Sequence, residues 1–196
     1  APFSAFLTPE WAVSKLGSAG QPPIFSDTRI VNTENQPVAC GERGEICLRG
    51  PNIMKGYWNR PDATAAAIDS EGWFHSGDIG YVDEDGLLFI CDRLKDMVIS
   101  GGENVYPAEV EGALYKHEAI AEVAVIGMPD EKWGEAVTAI VALNEGCTLT
   151  IEELREFAGE HLARYKLPLR LELVDALPRN PAGKVLKFVL KEQMAD

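Results

Sequence analysis

The sequence predicts an α+β fold in two parts: a small β-barrel-like subdomain over residues 1–92, then an α+β domain of one small sheet and about three helices over residues 93–196. Two patterns predict this division. Short alternating runs separated by turns fill the first part, whereas strand-like and helix-like runs alternate in the second. The chain has 196 residues, 46% of them hydrophobic, so it can bury one core or two small ones, which excludes a disordered chain.

The first part consists of predicted strands joined by turns. A loop with one short helix around residues 10–16 comes first, and strands are then predicted at 24–31, 44–50, 72–81 and 86–92. Pro61 begins a short helix that extends to residue 68, because the missing N–H of proline costs nothing in a first turn. Asp85-Gly86 predicts a tight hairpin turn. This pattern is typical of a small barrel or an antiparallel sheet.

The second part alternates between the two kinds of element. Thr150 is predicted to cap a helix in a capping box with Glu153, and Leu154 and Ala158 lie on the inner stripe of that helix. The remaining predicted elements are helices at 107–116 and 184–194 and strands at 97–100, 122–127, 135–143 and 169–174.

The net charge limits the classes of partner. The chain carries 18 Lys+Arg and 31 Asp+Glu, a net charge of −13. Because nucleic acids and anionic membranes attract a basic face, neither partner is expected. Residues 164–196 form the one net-positive stretch, with 7 basic and 4 acidic residues, and an anionic ligand is expected there unless the excess belongs to a polar final helix.

The cysteines and the apolar runs indicate a cytoplasmic protein. Cys40, Cys47, Cys91 and Cys147 have no metal-type spacing. The first three lie in or beside strand-like runs, so buried reduced thiols are the favoured interpretation. The longest apolar run, 123–128, is too short to span a bilayer, and no secretory signal is visible. The chain begins without Met, which leads us to expect further sequence upstream.

Several residues could carry chemistry, although each also has an ordinary structural explanation. Lys184 ends a loop of two prolines and a glycine that could present its ammonium group to a phosphate or carboxylate, or it simply begins a helix. Asp78 at a glycine turn could bind a sugar diol or cap its own turn. Gly101 and Gly102 could admit a ligand close to the backbone, and Trp133 could cover a flat ligand group or belong to the core. The three histidines are scattered and predict no metal site.

Taken in order, these segments resemble the motifs of the adenylate-forming superfamily, and fatty-acyl-CoA ligases most of all. The matching segments are Gly41-Glu42-Arg43-Gly44-Glu45-Ile46 with Gly56-Tyr57-Trp58, Gly72-Trp73-Phe74-His75-Ser76-Gly77-Asp78, Asp92-Arg93-Leu94-Lys95-Asp96 with Gly101-Gly102-Glu103-Asn104-Val105-Tyr106-Pro107, and Pro178 to Lys184. The resemblance extends from about residue 17 to the end. It implies that residues 1–92 end a large N-terminal domain and that residues 93–196 form a mobile C-terminal lid domain of the acyl-CoA synthetase fold.

The resemblance also implies the reaction and its residues. A carboxylic acid, expected to be a fatty acid, is activated by ATP as acyl-AMP, and CoA then displaces AMP; Mg²⁺ is expected with ATP, without a metal site in this chain. Lys184 would stabilise charge in the first step. Asp78 would bind the ribose, with Arg93 assisting at the ribose or phosphate. The hinge would lie near residues 93–95, at Lys95, and Gly101, Gly102 and Trp133 would line the CoA path.

Departures from the pattern limit what the chain can do alone. Ile99 stands where the family often has Lys, so that position has no ionic role. The phosphate-binding loop and the acyl pocket of the N-terminal domain are absent from the sequence, so the chain alone is expected to be inactive. An adenylation domain that serves a carrier protein is an alternative, although the chain ends twelve residues after Lys184 without a carrier segment. A non-catalytic binding module is the other alternative.

Overall fold

The computed structural model describes residues 3–194, and the chain divides after Lys95 into two compact units. The predicted parts met three residues earlier, between residues 92 and 93.

The first unit is built on a five-stranded antiparallel sheet. In sheet order β1-β5-β4-β3-β2, every neighbouring pair is antiparallel. The strands are β1 (Ser18–Gly20), β2 (Asp27–Val31), β3 (Gly44–Arg49), β4 (Phe74–Val82) and β5 (Leu88–Arg93). The predicted hairpin turn joins β4 to β5, where the Asp83 carboxylate accepts hydrogen bonds from the N–H groups of Asp85 and Leu87.

This sheet is open, which corrects the expectation of a barrel-like subdomain. Strands β1 and β2 form its two ends and do not pair with each other in the described part of the chain. Helix α1 (Pro61–Ala67) begins at the predicted proline. Residues 9–17 form turns instead of the predicted short helix. On one face the core comprises Ile30, Ile46, Leu48 and Leu88.

The second unit is built around a long β-hairpin. Strand β9 pairs with β8 and β6 in antiparallel fashion and with β10 in parallel, and β7 extends the sheet beyond β6. The strands are β6 (Val98–Ser100), β7 (Glu103–Val105), β8 (Ile120–Asp130), β9 (Gly134–Leu143) and β10 (Arg170–Leu173). The described part of this unit, residues 96–194, contains three α-helices, in agreement with the prediction of about three: α2 (Pro107–Leu114), α3 (Ile151–Gly159) and α4 (Lys187–Gln193).

Helices cover both faces of this sheet, which explains why β8 is apolar along most of its length. Alternate side chains of β8 belong to different cores, because successive residues of a strand point to opposite faces. Val123 and Val125 share a core with α2 and α3, whereas Ala124 and Ile126 share the other core with Leu190 of α4.

Local signals place most elements of this unit correctly. The predicted capping box is present: Thr150 Oγ1 accepts a hydrogen bond from the N–H of Glu153, whose carboxylate accepts one from the N–H of Thr150. Strand β7 was not among the predicted elements, and α4 begins at Lys187 rather than Lys184 because residues 179–185 fold into a hairpin loop.

The cysteines only partly follow the expectation of burial. All four thiols are free, but Cys47 is buried and Cys91 half-buried, whereas Cys40 and Cys147 are exposed. No helix among residues 3–194 combines the length and the apolar character needed to cross a bilayer.

Candidate functional site

Asp78 and Arg93, two residues singled out from the sequence, face each other across strands β4 and β5. They are direct partners in the strand register, and Arg93 Nη1 lies 2.8 Å from Asp78 Oδ1. The side chains are 33% and 45% exposed, respectively, so both reach solvent. A carboxylate that is accessible and held beside a guanidinium group can accept hydrogen bonds from the hydroxyls of a ligand.

Within β4, just before Asp78, the register with β3 shifts and the chain turns locally at Gly77. This Gly77 turn is held from β3 by a residue that sequence reasoning missed. Glu45 of β3 accepts a hydrogen bond from the N–H of Gly77 through Oε1, at 3.0 Å, and its Oε2 lies 2.8 Å from Nδ1 of His75. Gly77 has a positive φ of 70°, a conformation that glycine adopts readily. Glu45 and His75 are 30 residues apart, so their contact could have been found only by predicting that β3 pairs with β4.

Glu45, Cys47 and His75 form the one group of donor atoms whose spacing could suit a metal ion among the described residues, since these atoms lie within 4.8 Å of one another. Two features favour a hydrogen-bonded network instead. Burial, with a contribution from Glu45, raises the pKa of the Cys47 thiol to about 11, which favours its protonated form. The same Nδ1 atom of His75 contacts both Glu45 and Cys47.

Lys95 lies in a single 3₁₀ turn, Leu94–Asp96, where the chain passes from the first unit to the second. Three residues before it, the Asp92 carboxylate accepts a hydrogen bond from the N–H of Arg93, at 2.7 Å.

Gly101 and Trp133 are brought together in the second unit. Gly101 and Gly102 form the turn between β6 and β7 and have positive φ angles of 61° and 86°. The N–H of Gly101 donates to the carbonyl of Trp133 at 2.8 Å. A Cβ atom at Gly101 would lie 2.8 Å from Cε3 of the indole, so only glycine lets the ring approach this closely.

The β8–β9 turn that carries Trp133 is braced by one carboxylate. Asp130 accepts hydrogen bonds from the N–H groups of Trp133 and Lys132 and pairs with Arg170 at 2.8 Å; these contacts, the two N–H groups most of all, lower the pKa of Asp130. The indole is 39% exposed, and the Lys132 ammonium lies 4.8 Å from the ring centroid. The turn therefore presents a fixed aromatic surface beside a cation.

Lys184 lies in the hairpin loop of residues 179–185, between β10 and α4. The Asn180 side chain accepts hydrogen bonds from the N–H groups of Ala182 and Lys184, and Gly183 closes the turn with a φ of 82°. The Lys184 backbone is thus fixed while its side chain is exposed. Among residues 3–194, no carboxylate forms an ion pair with the Lys184 ammonium.

The Lys184 loop is attached to strand β8 through Arg179. This guanidinium donates to the carbonyl of Gly183 at 2.7 Å and pairs with Glu122 Oε1 at 2.6 Å. Glu122 also accepts a hydrogen bond from the N–H of Leu177. Arg179 first, and then this N–H, lower the pKa of Glu122.

The net-positive stretch of residues 164–196 is partly neutralised within the unit, so only part of its positive charge is available to the anionic ligand expected there. Carboxylates on α2 and β8 pair with four of its seven cations: Lys166 with Glu109, Arg170 with Asp130, Arg179 with Glu122 and Lys187 with Glu111.

The Lys184 loop and the Trp133 turn lie at opposite ends of strand β8. The loop is attached at Glu122, near the beginning of the strand, whereas Asp130 at its end braces the turn. Eight residues of an extended strand rise about 26 Å. One rigid hairpin therefore separates the two groups of candidate residues.

The comparisons with known proteins agree with these motifs. Two family models match: the AMP-binding enzyme C-terminal domain over residues 109–184 and the AMP-binding enzyme over residues 1–58. A 2-succinylbenzoate–CoA ligase of Geobacillus sp. is 50% identical over 96% of this chain and 38% of its own length. A feruloyl-CoA synthase of Amycolatopsis sp. is 50% identical, covering 88% and 35%, and a long-chain-fatty-acid–CoA ligase of Mycobacterium tuberculosis is 49% identical, covering 95% and 37%.

Solved structures give the same result. The o-succinylbenzoate CoA synthetase of Bacillus subtilis, in complex with its acyl-adenylate intermediate, has a TM-score of 0.85 and 41% identity over 98% of this chain and 38% of its own. The same enzyme has also been solved with ATP and a magnesium ion, with a TM-score of 0.83. The chain spans about 38% of the length of the relatives that it matches. It belongs to the adenylate-forming superfamily, and it corresponds to the C-terminal portion of the acyl-CoA ligases in that superfamily.

Proposed function

We propose that this chain is part of an AMP-forming acid–CoA ligase, in which it contributes to both half-reactions. In the first, a carboxylate oxygen attacks the α-phosphorus of ATP, and pyrophosphate leaves. In the second, the CoA thiol attacks the acyl carbon and loses its proton, and AMP leaves. The observation that carries the proposal is the Lys184 ammonium, which is exposed, has no carboxylate partner among residues 3–194, and lies on a loop whose backbone is fixed.

Lys184 is the proposed catalytic residue of the first half-reaction. Negative charge increases on the acid and on the α-phosphate as the new bond forms, and a positioned ammonium group stabilises it. The neighbouring cations Arg179 and Lys187 are already paired with carboxylates, so they are poorly suited to replace Lys184. The fixed backbone lowers the entropic cost of presenting the ammonium group.

Asp78 is proposed to bind the ribose hydroxyls of ATP and of AMP, with Arg93 as its partner. The exposed carboxylate suits a diol, because it can accept a hydrogen bond from each hydroxyl. The adjacent guanidinium has further donors available for a ribose or phosphate oxygen. Mg²⁺ is proposed to accompany ATP.

Gly101, Gly102 and Trp133 are proposed to line the path of CoA in the second half-reaction. A narrow thiol-bearing chain can pass close to a glycine backbone, and the exposed indole provides an apolar surface for it.

Rotation of residues 96–196 about Lys95 is the proposed switch between the half-reactions. The support is the separation of Lys184 from Trp133 by the length of strand β8, because two groups so far apart on one rigid unit cannot serve one reaction centre together. A hinge requires backbone freedom in a few residues, and the single 3₁₀ turn at Leu94–Asp96 is a short element that can provide it.

A fatty acid is the first substrate class to test, and aromatic acids are the second. The relatives named for a long-chain fatty acid, for 2-succinylbenzoate and for ferulate differ by no more than one percentage point in identity to this chain, so the proposal extends to all three acids.

Two assays test the proposal. The complete ligase, incubated with ATP, Mg²⁺ and CoA, is expected to release pyrophosphate with at least one acid from a panel of fatty, aryl and short-chain acids, and to form the acyl-CoA. The 196-residue chain alone is expected to form no acyl-AMP. Acyl transfer only to a carrier protein, or robust acyl-AMP formation by the chain alone, would contradict the proposal.

A further inference from the structure

Glu45 is a largely buried carboxylate, and each of its two oxygens has a partner. Its side chain is only 16% exposed; Oε1 accepts from the N–H of Gly77, and Oε2 faces Nδ1 of His75. Both partners lie in β4, the strand that also carries Asp78. Glu45 therefore ties β3 to the three-residue segment that immediately precedes Asp78.

This contact restrains the backbone immediately before Asp78. Gly77 has a positive φ, and glycine has the widest backbone freedom of any residue, so the turn needs an external restraint to keep one conformation. The charged Glu45 oxygen supplies that restraint through the N–H of Gly77, and a hydrogen bond to a charged acceptor is stronger than one between neutral groups. A second bond, from the N–H of Asp78 to the Ser76 hydroxyl, completes the turn.

The surroundings of Glu45 hold its carboxylate in place. His75 contacts Oε2 on one side, and its other ring nitrogen lies 3.7 Å from Asp69. Asp69 is itself fixed, because it accepts hydrogen bonds from the N–H groups of Glu71 and Trp73. The chain of contacts from Asp69 through His75 to Glu45 ends at Gly77, directly beside Asp78.

We propose that Glu45 is a positioning residue for nucleotide recognition: it fixes the Gly77 turn so that the Asp78 carboxylate meets the ribose diol. This inference rests on the proposed role of Asp78. It assigns Glu45 no contact with the nucleotide, so a loss of Glu45 acts through Asp78 and affects recognition of the ribose hydroxyls in particular.

The test compares ATP with 2′-deoxy-ATP as substrates of the complete ligase. The wild-type enzyme is expected to prefer ATP in kcat/KM by about tenfold or more, because loss of a hydrogen bond to a charged group costs that much. Asp78→Ala and Glu45→Ala are both expected to reduce this preference to below about threefold. A merely structural role for Glu45 would lower activity with both nucleotides equally and leave the preference unchanged.

Two conservative variants keep the test valid if Glu45→Ala does not fold. Glu45→Gln retains an oxygen for the Gly77 N–H and is expected to retain the preference for ATP. Glu45→Asp retains the charge but is one methylene shorter, so it cannot reach Gly77 and is expected to lose the preference. Glu42→Ala is the matched control, because Glu42 also accepts a backbone N–H, that of Ala39, but lies outside this turn.

The outcomes separate the inference from the function on which it rests. Loss of the preference in Asp78→Ala but not in Glu45→Ala or Glu45→Asp overturns the inference alone. Absence of any preference in the wild-type enzyme, or its persistence in Asp78→Ala, overturns the ribose assignment of Asp78 and the inference with it. Loss in Asp78→Ala, Glu45→Ala and Glu45→Asp, with retention in Glu45→Gln, supports both.

Discussion

Arg93 Nη1 lies 2.8 Å from Asp78 Oδ1, so one oxygen of the proposed ribose-binding carboxylate already has a cationic partner. The two residues are directly opposite in the register of β4 and β5. A second pair in the same unit has the same form: Asp27 and Arg49 are opposite each other on β2 and β3, with a distance of 3.0 Å. Because the two pairs are alike, removing the carboxylate of each in turn separates an effect on nucleotide binding from an effect on the stability of the sheet.

Asp78→Ala is expected to raise the KM for ATP by about tenfold or more, because the ribose loses hydrogen bonds to a charged acceptor. The free energy of unfolding should fall by less than about 1 kcal/mol, since the Asp78–Arg93 pair is partly exposed. Steady-state kinetics and urea unfolding measure the two quantities.

Asp27→Ala is the control for this variant, because it removes a cross-strand pair of the same kind. It should have a similarly small effect on unfolding and leave the KM for ATP unchanged. An equal rise of KM in both variants would mean that Asp78 acts on nucleotide binding only through the stability of the sheet.

Lys184→Ala is expected to slow acyl-AMP formation by about a hundredfold to a thousandfold, the usual effect of removing a group that stabilises transition-state charge. Thioester formation from supplied acyl-AMP and CoA should change far less. Rapid-quench measurements of each half-reaction provide the comparison. The thermal unfolding midpoint should not move, because the side chain is exposed and has no carboxylate partner in the described residues.

Lys116→Ala, another exposed lysine of the second unit, controls for the loss of one positive charge. Equal losses in the two half-reactions of Lys184→Ala would contradict the proposed role of Lys184.

Gly101→Ala is expected to impair the CoA half-reaction more than Gly102→Ala. Both glycines have positive φ, so each alanine pays a backbone cost of about 1–2 kcal/mol. Only the new Cβ at Gly101 meets an obstacle, the Trp133 ring at 2.8 Å, whereas nothing lies within 4 Å at Gly102. The indole must move in the first variant alone.

The rate of thioester formation from acyl-AMP and the urea unfolding midpoint test this prediction. We expect the difference between the two alanine variants to appear in both quantities. If Gly101→Ala and Gly102→Ala behave alike in both assays, the packing of Trp133 on Gly101 has no part in the second half-reaction.

Glu122→Gln is expected to lower stability at neutral pH but much less in acid. The pKa of Glu122 is lowered from 4.5 in the folded chain, chiefly by Arg179, so its contribution is fully present above that pH. It is lost as the pH falls through the lowered pKa and the carboxylate takes up a proton. The difference in unfolding free energy between wild type and Glu122→Gln should therefore shrink below pH 4.5.

Urea unfolding at neutral pH, near pH 4.5 and in stronger acid measures this difference. Glu118→Gln, an exposed glutamate just before β8, is the control and should show a small effect at each pH. A stability difference for Glu122→Gln that grows in acid would have the wrong sign for this ion pair.

Local signals in the sequence were sufficient for features that depend on neighbouring residues. The capping box of Thr150 and Glu153, the turn at Asp85-Gly86 and the presence of strands β8 and β9 all follow from short-range patterns. Gly101 and Trp133 were both assigned to one ligand path, but the contact between them was not predicted.

Contacts between distant residues could not be predicted in the same way. Glu45 and Gly77 are 32 residues apart, and nothing in either segment specifies the register that joins them. The ion pairs of the positive stretch at 164–196 could not be predicted for the same reason: their carboxylates lie on α2 and β8, about 40 to 80 residues earlier in the chain. Closure of the first sheet likewise depends on whether β1 and β2 meet, which strand patterns do not determine.

The distance between the two ends of strand β8 also bears on how such enzymes diverge. Substitutions more than about 10 Å apart that share no partners usually have additive effects on free energy. Substitutions around the Lys184 loop and around the Trp133 turn are this far apart, and the two sites are braced by different residues, Glu122 and Asp130. Their effects on free energy are therefore expected to add. Under the proposed assignment of the two half-reactions, selection can adjust the residues at one end of this small domain without disturbing those at the other.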